Sequence, residues 1–193
     1  MASESMIRVT ELLRWCGVTS SIPNLPIIKA AMERGTLVHQ WSLLIEDSAD
    51  SDKLGELDNC FNQITADIQG YAKAVANFHT KFRPTWISRE VRIQDEELGV
   101  SGCPDRYGEI RGELVVLDFK TGQSYKWHRM QVALYAILLQ RQQSPTNDRW
   151  CVYLRPDGSF SLQRHNSKLD LVRAWNLINT WRRHVLEQKN LSP

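Results

Sequence analysis

The sequence predicts an α/β fold in which helices come first, three strands follow, and a helix, two more strands and a closing helix complete the chain. Three observations predict it. Apolar residues recur at helical spacing through most of the first 82 residues. Alternation of apolar and polar residues takes over at "TWISREVRIQ", Thr85 to Gln94, and "GELVVLDFKTG", Gly112 to Gly122, is rich in apolar and β-branched residues. At 193 residues the chain suits one domain over 1–193 with a sizeable core. Its helical part runs to about 82, its strand-bearing core spans about 83–165, and a C-terminal helix covers about 168–189.

Taken in order, "VTELLRWCG" reads as a helix with Thr10 as its cap and Gly17 as its stop. "PIIKAAMERGTLVHQWSLLIED" places Pro26 in the first turn of a second helix. "EDSADSDKLGELD", Glu46 to Asp58, reads as an acidic loop, and "LDNCFNQITADIQGYAKAVANFHTKF" as a helix that ends near Pro84. "TWISREVRIQ", "GVSGCPDRYGEIR" and "GELVVLDFKTG" then form three strands of an antiparallel meander, joined by short glycine-containing turns. "YKWHRMQVALYAILLQRQ" is a strongly amphipathic helix, "RWCVYLRPDGSFSLQRH" two strands around a Pro-Asp-Gly turn, and "KLDLVRAWNLINTWRRHVLEQK" the closing helix.

Lys and Arg number 24 against 22 Asp and Glu, so net charge singles out no partner. No stretch approaches the roughly 20 apolar residues of a membrane span, and the amino terminus lacks a basic region followed by an apolar run. The expectation is a soluble, intracellular protein without a membrane partner, cytoplasmic if bacterial or phage-encoded. Cys16, Cys60, Cys103 and Cys151 are scattered, with no C-x-x-C pair, and read as reduced and structural.

Within "VVLDFKTG", strand alternation puts Asp118 and Lys120 on one face and Leu117 and Phe119 on the other. Alone, such a pair is a rim salt bridge contributing at most about 1 kcal/mol. Pairing "GCPDRYGEI" with "ELVVLDFK" through the turn at Arg111 and Gly112, however, carries Asp105 to the same end of the sheet. Two carboxylates and an ammonium then converge. Hard oxygen ligands of this kind suit magnesium or manganese, and that equipment suits phosphodiester hydrolysis.

Pro104 and Asp105, followed after twelve residues by Asp118, Phe119 and Lys120, resemble the signature of the PD-(D/E)XK nucleases. The chain is more specifically similar to the RecB-type branch, whose G-x-x-x-H, G-x-x-D, D-x-K and Q-x-x-x-Y elements match "GTLVH" (Gly35 to His39), "GCPD" (Gly102 to Asp105), "DFKTG" (Asp118 to Gly122) and "QVALY" (Gln131 to Tyr135). The resemblance spans Gly35 to Tyr135 and implies a restriction-endonuclease-like core, a central mixed β-sheet flanked by helices. It implies His39, Asp105, Asp118 and the backbone carbonyl of Phe119 as ligands of one or two Mg²⁺ or Mn²⁺ ions. Lys120 would be the catalytic lysine, acting with Asp118 and Asp105, and Gln131 and Tyr135 would lie beside the site and the substrate strand. Glu90 stands where many relatives carry a further acidic residue supporting a second metal.

Taken singly, His39 reads as a satisfied helix histidine, Glu90 as a solvated strand carboxylate, and Gln131 and Tyr135 as ordinary helix packing. "YKWHRMQ", Tyr125 to Gln131, mixes cations and aromatics and suits a single strand whose phosphates meet Lys126 and Arg129; a solvated helix start is the other reading. Trp175 and Trp181 read as core, Arg182 and Arg183 as phosphate contacts.

Many RecB-type relatives bind an iron-sulfur cluster through one early and three late cysteines. This chain has no late group, so no cluster is expected. RecB's helicase segments are absent, so unwinding either comes from a partner, a helicase, single-strand-binding or recombination protein, or is unnecessary. The resemblance implies a metal-dependent DNA nuclease, an exonuclease acting at the ends of single- or double-stranded DNA in recombination, repair or phage DNA metabolism. A structure-specific or nicking endonuclease is the alternative within enzymes. A nucleic-acid-binding module without catalysis is the alternative outside them, and intact His39, Asp105, Asp118 and Lys120 argue against it.

Overall fold

The computed structural model describes residues 6–20, 26–49, 65–146 and 148–191. Their elements are β1 (Ile7–Arg8), α1 (Val9–Trp15), α2 (Pro26–Ala49), α3 (Ala66–Phe82), β2 (Thr85–Arg89), β3 (Ile93–Asp95), β4 (Val100–Gly102), β5 (Arg106–Ile110), β6 (Glu113–Lys120), α4 (His128–Arg141), β7 (Asp148–Leu154), β8 (Phe160–Arg164) and α5 (Lys168–Leu191). Five strands form the main sheet in the order β2-β5-β6-β7-β8, antiparallel except for the parallel pair β6 and β7. A parallel neighbour requires a crossover, and α4 supplies it. The sheet is therefore mixed and flanked by helices, as expected.

Strand β6 sorts its side chains between two cores. Val115, Leu117 and Phe119 pack with Phe78 of α3 and Trp150 of β7 on one face, whereas Val116 joins the core of α1, α4 and α5 on the other. Asp118 and Lys120 share Val116's face by alternation, and so look toward α4. That helix departs from the amphipathic expectation. Every residue from Met130 to Leu139 is buried, because α4 lies between the sheet and the layer of α1 and α5 and has no solvent face to keep polar.

The three-strand meander also needs correction. A second sheet, ordered β1-β4-β3, holds strands expected in the main one, and β1 adds a short strand to the expected helical N-terminal segment. The run from Thr85 breaks at Glu90, which takes φ 52°, and again at Cys103 to Asp105, where Pro104 offers no N–H to a ladder. The expected middle strand thus divides into β4 and β5, one in each sheet.

Helix boundaries are closer to expectation, since α2 begins at Pro26, Gly17 follows α1 with φ 69°, and Arg83 takes φ 45° after α3, just before Pro84. The cap of α1 is Arg8 rather than Thr10: its backbone N–H donates to Glu11 Oε2 at 3.1 Å. The acidic loop from Asp50 onward, Cys60 and the first turns of the helix expected from Leu57 lie outside the described residues. Glu46, read as part of that loop, is inside α2 and buried. No helix among the described residues is long and apolar enough to cross a membrane.

Candidate active site

The four motif elements meet at the carboxyl end of β6. Gly35 of α2 faces the residue after Lys120, since a Cβ there would sit 3.9 Å from Thr121 Oγ1. Gly102 ends β4 directly beneath Tyr135 of α4, and a Cβ on it would lie 2.8 and 2.9 Å from two ring carbons. The missing side chain is what lets α4 approach. Gly102→Ala should therefore destabilise the fold by about 1–3 kcal/mol, the usual cost of overpacking, in urea melts. A wild-type midpoint would mean that the ring moves aside freely.

Two polar groups are assembled there. In the first, His39 Nδ1 of α2 stands 3.3 Å from Asp105 Oδ1 and 3.5 Å from Glu90 Oε1. In the second, Lys120 is ion-paired with Asp118, Lys120 Nζ donates to Gln131 Oε1 at 2.8 Å, and Gln131 Nε2 donates to the Tyr135 hydroxyl at 2.9 Å. The Phe119 N–H links them by donating to Asp105 Oδ2 at 2.6 Å. Gln131 and Tyr135, four apart on α4, thus form one chain ending at the lysine.

Glu90 lies one residue beyond β2 rather than on it, and its N–H donates to the Asp105 carbonyl at 2.9 Å. Asp118 turns to Lys120, and among the described residues no three His, Cys, Asp or Glu side chains already stand as a ligand cluster.

The charges are mutually dependent. The Asp105 carboxylate, assisted by Asp118 and Glu90, lifts His39 to about 9 despite its burial. Burial, and then repulsion from Asp105, pushes Asp118 up to about 6. Burial also opposes ionisation of Asp105, but the His39 imidazolium, the Lys120 ammonium and the Phe119 N–H together outweigh it and hold Asp105 below the usual carboxylate range. Lys120 sits above the ordinary lysine value: burial works against its charge, and Asp118 and Asp105 prevail. It is a cation at neutral pH.

A buried ion pair that sequence reasoning missed anchors this arrangement. Arg106 Nε donates to both Glu46 carboxylate oxygens at 2.8 Å, Nη2 to Ser42 Oγ at 2.6 Å, and Nη1 to the Asp105 carbonyl at 2.6 Å. Arg106 is 0% exposed and Glu46 1%. The clue in the sequence is spacing, because His39, Ser42 and Glu46 follow one another at helical intervals and share a face of α2. The pair ties α2 to the backbone at Asp105, and thereby holds His39 against that carboxylate.

Of the remaining predicted residues, Lys126 and Arg129 border the Trp127 ring, over which Lys120 Nζ lies at 5.5 Å. Trp175 and Trp181 pack on the core as expected. Arg182 stands instead beside Glu96 and Glu97 in a surface hollow, where a phosphate would meet like charge.

The geometry agrees with the comparisons to known proteins. The crystal structure of SSO0001 aligns at TM-score 0.42 and 19% identity over 93% of this chain and 76% of that one, a likeness too slight to carry an argument. The protein named "Putative exonuclease" from Eubacterium rectale aligns at TM-score 0.55 and 14% identity over 100% of this chain and 84% of its own, and shares the fold. No curated protein matches in sequence. The model of the PD-(D/E)XK nuclease superfamily matches residues 21–190, a span that contains His39, the Pro104–Asp105 turn and the Asp118–Phe119–Lys120 strand end. By that match, and by a restriction-endonuclease-like sheet that brings those residues together, the chain belongs to the PD-(D/E)XK nuclease superfamily.

Proposed function

We propose that the protein is a magnesium- or manganese-dependent deoxyribonuclease of RecB-like type that degrades DNA from its ends. The observation that carries this reading is the meeting of Asp105, Asp118, Lys120 and His39 at one end of the sheet, with Lys120 tied to Gln131 of α4. The name of the Eubacterium rectale protein agrees with it.

The donor set fits a divalent ion of that kind. It offers one imidazole nitrogen and carboxylates that lift His39 and, added to burial, Asp118, a surplus of negative charge that a dication would relieve. His39, Asp105 and Asp118 would hold it, with the Phe119 carbonyl and Glu90 alongside for one or two ions. When bound, the ion supplies Lewis acidity toward the phosphodiester and its attacking water.

The chain's own groups do the rest. Lys120, charged at neutral pH, is no proton acceptor; its ammonium orients the nucleophile and stabilises charge that develops at phosphorus. Gln131 holds Lys120 in place, and Tyr135 holds Gln131. The resemblance to RecB-type enzymes implies a 5′-phosphate product. Where unwinding is needed, a helicase, single-strand-binding or recombination partner would supply it. The test is incubation of end-labelled linear and covalently closed DNA, single- and double-stranded, with Mg²⁺, Mn²⁺ or EDTA. Degradation of linear substrate alone, stopped by EDTA, is expected. Cleavage of closed circles would select the endonuclease, and cleavage of nothing the binding module.

His39 makes the ion's affinity pH-dependent in a specific window. Ligation needs neutral imidazole, whereas the folded protein holds His39 protonated up to about 9, above its ordinary 6.5. Below 9 each ion must displace a proton, so the Mg²⁺ midpoint for thermal stabilisation should fall about tenfold per pH unit and level off near pH 9. Without metal the sign reverses: the raised value means that His39's contribution to stability is fully present below 6.5 and is lost as pH rises through about 9. His39→Ala should flatten both curves. Unchanged slopes would remove His39 from the site.

A further inference from the structure

A groove of about 380 Å³ opens beside the catalytic edge, between the segment after α1, the start of α4 and the first half of α5. Lys126, Trp127 and Arg129 line it from one side and Arg173 from the other, over an apolar floor that includes Val18 and Met130. Its lining holds three cations and no carboxylate. Lys126 and Arg173 are exposed, with no ion pair among the described residues. Arg129 Nε is buried without a hydrogen-bond acceptor, and its nearest carboxylate oxygen, Asp170 Oδ1, is 3.7 Å away. The site side of the groove is the Trp127 ring itself, which is half-buried and lies 5.5 Å from Lys120 Nζ.

Trp127 is also held in place before anything binds. The turn that carries it is closed by the His128 N–H donating to the Tyr125 carbonyl at 3.1 Å, and the His128 ring packs edge-on against the indole at 4.2 Å. His128 in turn is buried and its Nδ1 stands 2.9 Å from the Tyr153 hydroxyl on β7. A fixed ring flanked by cations, two of them exposed, is the construction that receives an unpaired base and its phosphates: the ring loses little freedom on stacking, and the cations can meet phosphate oxygens.

We propose that this groove carries a single-stranded segment of the substrate DNA, with a base stacked on Trp127 and the neighbouring phosphates on Lys126, Arg129 and Arg173, immediately beside the bond that is cut. The proposal rests on the nuclease reading above and adds the strand state to it. A paired base in duplex DNA is already stacked on both faces and has no face to give Trp127, so the preference is for unpaired strand. Arg173 becomes a substrate contact some fifty residues from the motif that defines the family.

The test is fluorescence anisotropy of a short fluorescein-labelled oligothymidylate and of a blunt duplex, titrated in EDTA at several salt concentrations with the full chain. Arg173→Glu, on an exposed helix face, should weaken single-strand binding at least tenfold and flatten its salt dependence by about 0.7 in log–log slope, one phosphate contact's share, with duplex binding little changed. Trp127→Ala should cost about tenfold and Trp127→Phe much less, as expected for stacking. Unaltered single-strand binding in Arg173→Glu, or an equal loss on duplex, would overturn the proposal, the second by showing only general attraction. Because binding is read without turnover, the two readings fail separately. A wild type that binds single strands but cleaves nothing with Mg²⁺ or Mn²⁺ removes the nuclease and leaves the groove; one that cleaves while both variants bind normally removes the groove and leaves the nuclease.

Discussion

Replacing Lys120 by alanine should lower the single-turnover cleavage rate by about 10²–10³, the loss seen when one preorganised electrostatic group is removed from a site where charge develops, about 2.7–4 kcal/mol. The ammonium is held charged by Asp118 and Asp105 and is aimed by Gln131, so the energy of positioning it has already been met when substrate arrives. The fold should survive, because Asp118, already lifted to about 6, can take up a proton once its partner is gone. Gln131→Ala should give a smaller loss of the same kind, since it leaves the charge and removes only its aim. Near-wild-type turnover in Lys120→Ala would take Lys120 out of the reaction.

The largest effect on stability should come from a residue that touches no substrate. Glu46→Ala leaves the guanidinium of Arg106 wholly buried with only the more distant Glu90 carboxylate, 3.7 Å from Nη1, as countercharge, and breaking a buried pair in this way typically costs about 3–5 kcal/mol. Urea unfolding should show it as a lower midpoint at an unchanged slope. Replacing both partners, Glu46→Leu with Arg106→Leu, should recover part of that stability, because a buried pair is worth little more than well-packed apolar side chains of similar volume, while the 2.9 Å contact of His79 Nε2 with Glu46 stays lost. Cleavage should not recover with it. Without the Arg106 bonds to Ser42 and to the Asp105 carbonyl, the buried tie between α2 and the turn that carries Asp105 is lost, and the contact of His39 with that carboxylate is left without its support. Full recovery of both would mean that the helix is placed by its apolar contacts alone.

The chemistry of this protein was legible in the sequence wherever it follows from local geometry. Strand alternation alone puts Asp118 and Lys120 on one face of β6, and four-residue spacing alone puts Gln131 and Tyr135 on one face of α4; both hold. Pro26, Gly17 and Pro84 mark helix limits because their backbone restrictions act within a residue or two. What local pattern leaves open is how elements distant in sequence share space. An apolar helix with a few polar residues at its ends looks the same whether it lies on a surface or, like α4, between two layers. The break at Cys103 to Asp105 sends β4 to another sheet because its partners, β1 and β3, are there to receive it. Glu46 reads as one more carboxylate at the edge of an acidic stretch until Arg106, sixty residues on, is placed beside it. Tertiary structure likewise decides that Asp118 answers to Lys120 and His39 to Asp105 and Glu90, since the direction of each ion pair depends on which charge burial brings nearest, and burial belongs to the assembled fold rather than to any stretch of the chain.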